Sequence, residues 1–191
     1  MAQEVEIEFK NMLTKEEYAS LLDYYKLEEN IKTQTNDYFD TKNFMIREKG
    51  AALRIRNKND KFVLTLKQPA EEGLLETHQA VSQETFEKIK KDGTLPDGEV
   101  ASQLNELGIP SPLDHLGRLT THRAEYQTTE GLLVLDHSEY LGREDFELEF
   151  EVSDFTTGER AFTSVLHQHQ IPKRKTNNKI LRFFLASQEQ A

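Results

Sequence analysis

The chain has 191 residues and a formal net charge of −10, with 24 Lys and Arg against 34 Asp and Glu. That balance excludes a nonspecific binder of nucleic acid or anionic membrane, while leaving room for a local basic cluster that takes a small anion. There is no cysteine, and so neither a disulfide framework nor a thiolate metal site, and no apolar run approaches a membrane span or a signal core; the expectation is one soluble cytoplasmic domain, residues 1–191.

The first ten residues read as a strand. Val5, Ile7 and Phe9 share one face, and Glu4, Glu6, Glu8 and Lys10 share the other. Thr14-Lys-Glu-Glu17 has the capping-box spacing, and Tyr18, Leu21, Leu22 and Tyr25 follow at helical intervals. A strand is expected over Lys32–Phe39, then a hairpin of Ala52–Asn57 and Lys61–Gln68 across Lys58-Asn-Asp60, then a strand over Leu74–Val81. Phe86 and Ile89 mark a short helix ending near Gly93. Val100, Leu104 and Leu107 mark another, stopped by Gly108 and Pro110. Strands resume over Leu119–Thr128, Leu132–His137 and Asp145–Val152. Thr156-Thr-Gly-Glu159 resembles a second capping box, opening a helix with Phe162, Val165, Leu166 and His169 on one stripe. Pro172 stops it, and a basic stretch Lys173–Lys179 leads to an apolar run, Ile180–Leu185. About eight strands with helices beside them predict an antiparallel α+β domain whose sheet closes into a barrel.

Charge recurs on one face of strand after strand: Glu6, Glu8 and Lys10; Arg54 and Arg56; Lys67; Glu76; Arg123 and Glu125; Asp136; Glu147, Glu149 and Glu151. Wet faces of a one-sided sheet would give the same alternation. The segregation favours a site instead, because two strands offer almost only carboxylates and another offers guanidinium groups. Carboxylates without cysteine suit Mg²⁺ or Mn²⁺. Arg with Lys suits phosphate. Together they are what phosphoryl transfer requires, since its catalysis is mostly positioning and charge stabilisation.

Glu6-Ile-Glu8-Phe-Lys10 resembles the Glu-x-Glu-x-Lys signature of the CYTH family, the triphosphate tunnel metalloenzymes. Further matching pieces follow in the family's order: Tyr38-Phe-Asp-Thr41, Ala52-Leu-Arg-Ile-Arg56, Thr65-Leu-Lys67, Glu76, Arg123, Leu135-Asp-His-Ser-Glu-Tyr140, Glu147-Leu-Glu149 and Lys179. The resemblance implies a closed eight-stranded antiparallel β-barrel, forming a tunnel with helices packed outside. It implies that Glu6, Glu8, Glu147 and Glu149 hold the divalent metal, that Glu76 and Asp136 complete the acidic lining, and that Lys10, Arg54, Arg56, Lys67, Arg123 and Lys179 grip the triphosphate. The expected activity is metal-dependent hydrolysis of tripolyphosphate or a small organic triphosphate such as thiamine triphosphate. Glu147 or Glu149, or a second metal, would orient the water. A class IV-like adenylyl cyclase and a non-catalytic polyphosphate- or nucleotide-binding module are the alternatives. The protein is expected to act alone or as a homodimer. Outside this set, Glu125 and Glu151 stand open between tunnel mouth and solvent. His78 stands between an acid–base group beside Glu76 and surface or rim packing, the latter preferred; Arg118 is read as loop surface; and Lys173, Arg174 and Lys175 are read as a solvated run rather than a device that steers anions to the mouth. His115, His122 and His137 lack metal-ligand spacing, and His167 and His169 are read as lying in the last helix with no ligand role.

Overall fold

The computed structural model describes residues 3–190. In chain order the elements are β1 (Gln3–Leu13), α1 (Lys15–Tyr25), a 3₁₀ turn (Glu28–Asn30), β2 (Lys32–Asp40), α2 (Met45–Glu48), β3 (Ala52–Lys58), β4 (Lys61–Pro69), β5 (Leu74–Val81), α3 (Gln83–Asp92), α4 (Glu99–Glu106), β6 (Asp114–Gln127), β7 (Leu132–Tyr140), β8 (Arg143–Val152), α5 (Phe155–Gln168) and α6 (Lys179–Gln190). The eight strands close into an antiparallel barrel in the order β1-β5-β4-β3-β2-β6-β7-β8. Two of its hairpins are two-residue turns. Asn59 and Asp60 (φ 53° and 58°) join β3 to β4, and Leu141 and Gly142 (φ 50° and 73°) join β7 to β8. Positive φ at both central positions matches the right-handed twist of paired strands. The second turn corrects the sequence reading, which ended one strand at His137 and began the next at Asp145. Leu141 gave no signal there, because a leucine rarely takes positive φ. Among the described residues no helix is long and apolar enough to cross a membrane.

Contacts along the chain group it into two compact units. One comprises the start of β1 to Val5 with Gln34–Arg118. Its core packs Leu53, Ile55, Leu64 and Leu66 of β3 and β4 against Phe86 and Ile89 of α3 and Val100 and Leu104 of α4. Ser82 caps α3 by accepting from the Thr85 amide, and Gly93 ends it in the left-handed region. α2 is a single turn that the sequence did not announce. The Asp40 carboxylate holds it by accepting from the amides of Ile46 (2.9 Å) and Arg47 (3.1 Å). β6 starts five residues before Leu119, and its first turn of chain is tied to β2: buried Asp37 accepts from Arg118 Nε at 3.0 Å and lies 2.8 Å from His115 Nε2. Arg118 is therefore a structural partner of a buried carboxylate rather than loop surface.

The other unit comprises Glu6–Thr33 and Leu119–Ala191. Here Leu133 and Leu135 of β7 and Phe146, Leu148 and Phe150 of β8 meet Tyr18, Leu21 and Leu22 of α1 and Phe162 and Leu166 of α5. The capping box at Thr14 and Glu17 forms in full. The second predicted box does not. Asp154, two residues earlier than Thr156, caps α5 by accepting from the Thr157 amide (2.8 Å) and hydroxyl (2.6 Å), and a carboxylate at that position outcompetes a downstream threonine. Gly158 lets α5 approach β8 closely, since a Cβ there would meet Val152 Cγ2 at 2.4 Å. The terminal apolar run is part of α6. Its Asn178 caps by accepting from the Leu181 amide at 2.9 Å.

Candidate functional site

Strand register gathers the charges of the second unit. Phe146, Leu148 and Phe150 turn into the core, so Glu147 and Glu149 occupy the opposite face of β8. Asp136 pairs across the sheet with Glu147, and Arg123 with Asp136. On the other edge of β8, Lys10 pairs with Glu149 and Glu8 with Glu151. Asp136 and Glu147 are fully buried and Glu149 is 5% exposed. Buried carboxylates demand counter-charges. Arg123 donates to both Asp136 oxygens (2.8 and 2.7 Å) and to Glu149 (2.7 Å). The Lys179 ammonium lies 2.9 Å from Asp136 and 2.7 Å from Glu147 and also contacts Glu149. Lys10 pairs with Glu8 at 2.5 Å. Arg182, which the sequence reading left inside the apolar run, donates to Glu147 at 2.8 Å and to Asp145 at 3.0 Å.

The protonation behaviour follows from this network. Burial alone would raise the Asp136 and Glu149 carboxyls. Arg123 and Lys179 outweigh it at Asp136, and Lys179, Arg123 and Lys10 outweigh it further at Glu149, so both stay below the ordinary carboxylate range. Burial likewise opposes the charged forms of Lys10 and Lys179, yet their carboxylate neighbours hold both above the usual lysine value. Glu151 behaves in the opposite way. Burial, then the nearby charge of Glu6, push its carboxyl up to about 7, with Arg123 only partly offsetting them.

Asp136, Glu147 and Glu149 each present a carboxylate oxygen, all within 4.8 Å of one another. An all-oxygen, buried, anionic donor set of this spacing fits a hard dication such as Mg²⁺ or Mn²⁺. These are three of the six predicted metal ligands. Of the others, Glu8 engages Lys10 and Glu6 acts electrostatically on Glu151.

Glu76 belongs to the first unit. There it pairs with Lys67 across β4 and β5, and its second oxygen lies 3.3 Å from His78 Nε2. His78 also meets Glu4 at 3.1 Å and, through Nδ1, Thr65 at 3.0 Å, a specific set of polar partners. Arg54 and Arg56 alternate with the core residues Leu53 and Ile55, and Arg56 donates to Asn36 at 2.9 Å. The remaining histidines of the strands each take a carboxylate: His115 with Asp37, His122 with Glu139 and His137 with Glu144, all at 2.8 Å. Glu125 is exposed. Arg174 is not part of a solvated run; it bridges to Glu17 at 2.7 Å and to the Met12 carbonyl at 2.8 Å.

A CYTH domain model matches residues 4–184. The chain is 50% identical over 186 residues to "Putative triphosphatase YjbK" of Bacillus subtilis, covering 96% of each protein. A crystal structure from Bacillus halodurans described as a "putative adenylate cyclase" superimposes with a TM-score of 0.93 at 42% identity, over 96% of this chain and 100% of that one. A Hippeastrum protein shares the fold at a TM-score of 0.77 and 24% identity, over 93% and 94% of the two chains. The barrel order, the buried carboxylate face and a match running from β1 into α6 lead to one conclusion: this chain belongs to the CYTH domain family.

Proposed function

We propose that the protein is a divalent-metal-dependent triphosphatase acting on tripolyphosphate or a small organic triphosphate. The observation that carries this reading is the buried trio Asp136, Glu147 and Glu149, whose oxygens converge within 4.8 Å among the cations Arg123, Lys10 and Lys179. Asp136, Glu147 and Glu149 hold Mg²⁺ or Mn²⁺, with Glu6 and Glu8 completing the acidic set. When bound there, the dication would supply polarisation of the scissile phosphoryl group. Lys10 and Arg123 stay charged throughout the neutral range and stabilise the phosphate oxygens as negative charge redistributes. Arg54, Arg56, Lys67 and Lys179 are assigned to grip the phosphate chain, and Glu147 or Glu149 to orient the attacking water. The ligand is a small molecule, so neither nucleic acid nor membrane takes part. The name of the half-identical Bacillus subtilis relative supports hydrolysis.

The Bacillus halodurans neighbour's description favours a second reading, an adenylyl cyclase. One panel separates the two. Purified protein is given tripolyphosphate, thiamine triphosphate or ATP with Mg²⁺ or Mn²⁺, and orthophosphate, pyrophosphate and cyclic nucleotide are scored. Orthophosphate release that is abolished by chelator and cut about 100-fold or more by Glu147→Gln is the expected result. Cyclic AMP with pyrophosphate would establish the cyclase, and binding without turnover a non-catalytic module.

A further inference from the structure

The three carboxylates that offer oxygens to a dication already share a cation. Lys179 Nζ touches all of them: Asp136 at 2.9 Å, Glu147 at 2.7 Å and Glu149 in closer contact still. An ammonium and a dication on the same three buried carboxylates repel one another strongly, which sets them in competition. We propose that Lys179 is the resident cation of this site, and that metal binding expels its ammonium, freeing that charge for an anionic ligand. The proposal rests on the metal half of the reading above and not on the identity of the triphosphate.

Two features make Lys179 the group that exchanges. It is the first residue of α6, where unpaired amides make the helix end positive and an ammonium unwelcome, so the carboxylates are what retain it there. Its four-carbon stem also swings without moving the backbone. Arg182, one turn further on, is the contrasting case. It is held by Asp145, Glu147 and the Asn177 carbonyl (2.5 Å), and Asp145 is itself fixed by the Tyr140 hydroxyl at 2.7 Å. Upstream, Thr176 accepts from the Met12 amide at 3.0 Å, and Arg174 is bound to Glu17. Both sides of Lys179 are anchored, so the lysine departs while α6 stays seated and Arg182 keeps Glu147 in place.

The test uses the metal alone. Amine acetylation followed by mass spectrometry reads Lys179, whose side chain is 10% exposed, against Lys15, which is 72% exposed. Adding Mn²⁺ is expected to raise Lys179 labelling at least fivefold relative to Lys15, and chelator to reverse it. In parallel, calorimetry should give Lys179→Met at least tenfold tighter Mn²⁺ binding than the wild type, because no internal cation competes. Unchanged Lys179 labelling with Mn²⁺ bound would overturn the exchange, as would equal or weaker binding by the variant. Absence of Mn²⁺ binding to either protein would overturn the metal assignment itself. The labelling arm stands on the wild type even if the variant does not fold.

Discussion

Replacing Arg123 by methionine removes the fork that satisfies two buried carboxylates. Its guanidinium makes a bidentate pair with Asp136, fully buried, and a third bond of 2.7 Å to Glu149. Removing one partner of such a network typically costs about 3–5 kcal/mol, because the remaining charge has neither water nor a counter-ion. Lys179 still contacts both carboxylates, which places the expected loss at the lower end, about 3 kcal/mol. For a protein of this size each kcal/mol moves the melting temperature by about 2–4 °C, so the variant should melt about 6–12 °C lower. Arg123→Lys restores the charge but not the fork and should recover part of the loss. The assay is urea unfolding followed by circular dichroism, with and without Mn²⁺, whose charge should partly rescue the methionine variant. A loss below about 1 kcal/mol, the range of exposed ion pairs, would refute the claim that these carboxylates are buried and need Arg123.

The raised carboxyl of Glu151 predicts a pH dependence of metal-free stability. Between its ordinary value of 4.5 and its folded value of about 7, the folded protein keeps a proton that the unfolded chain has released, so stability falls as pH rises through that window. The gap corresponds to at most about 3 kcal/mol. With the side chain 29% exposed, solvent trims this to about 1–2 kcal/mol. Glu151→Gln should therefore match the wild type near pH 4 and exceed it by that amount at pH 8; parallel urea midpoints across the range would contradict this. Asp154→Ala removes the observed cap of α5 and should cost about 1 kcal/mol, whereas Thr156→Ala should cost almost nothing. Tripolyphosphate with Mg²⁺, each at about 100 times its dissociation constant, should stabilise the folded protein by about 2.7 kcal/mol or more, read as a rise in melting temperature, and a flat profile would count against binding.

The charged faces were legible in the sequence because strand periodicity is exact. Once Phe146, Leu148 and Phe150 are buried, Glu147 and Glu149 have no choice of face, and the same parity carries Lys10 and Arg123 with them. What periodicity cannot give is register between distant strands, and register is what sets Asp136 beside Glu147. Arg182 was missed for a different reason. The run Ile180–Leu185 looked simply apolar, although Lys179, Arg182, Phe183 and Ala186 already stood at helical spacing and marked a face that is charged at one end and buried at the other. Arg118 and Arg174 were misread because a basic residue near a loop resembles solvated surface, and their carboxylate partners lie 81 and 157 positions away in the chain.

The central claim is that Asp136, Glu147 and Glu149 bind the catalytic dication. Anomalous diffraction from crystals soaked in Mn²⁺ with a non-hydrolysable tripolyphosphate analogue measures this most directly. A manganese peak at about 2.1–2.3 Å from oxygens of these three carboxylates is the predicted result. Crystals with the analogue bound and no manganese at the trio would contradict it.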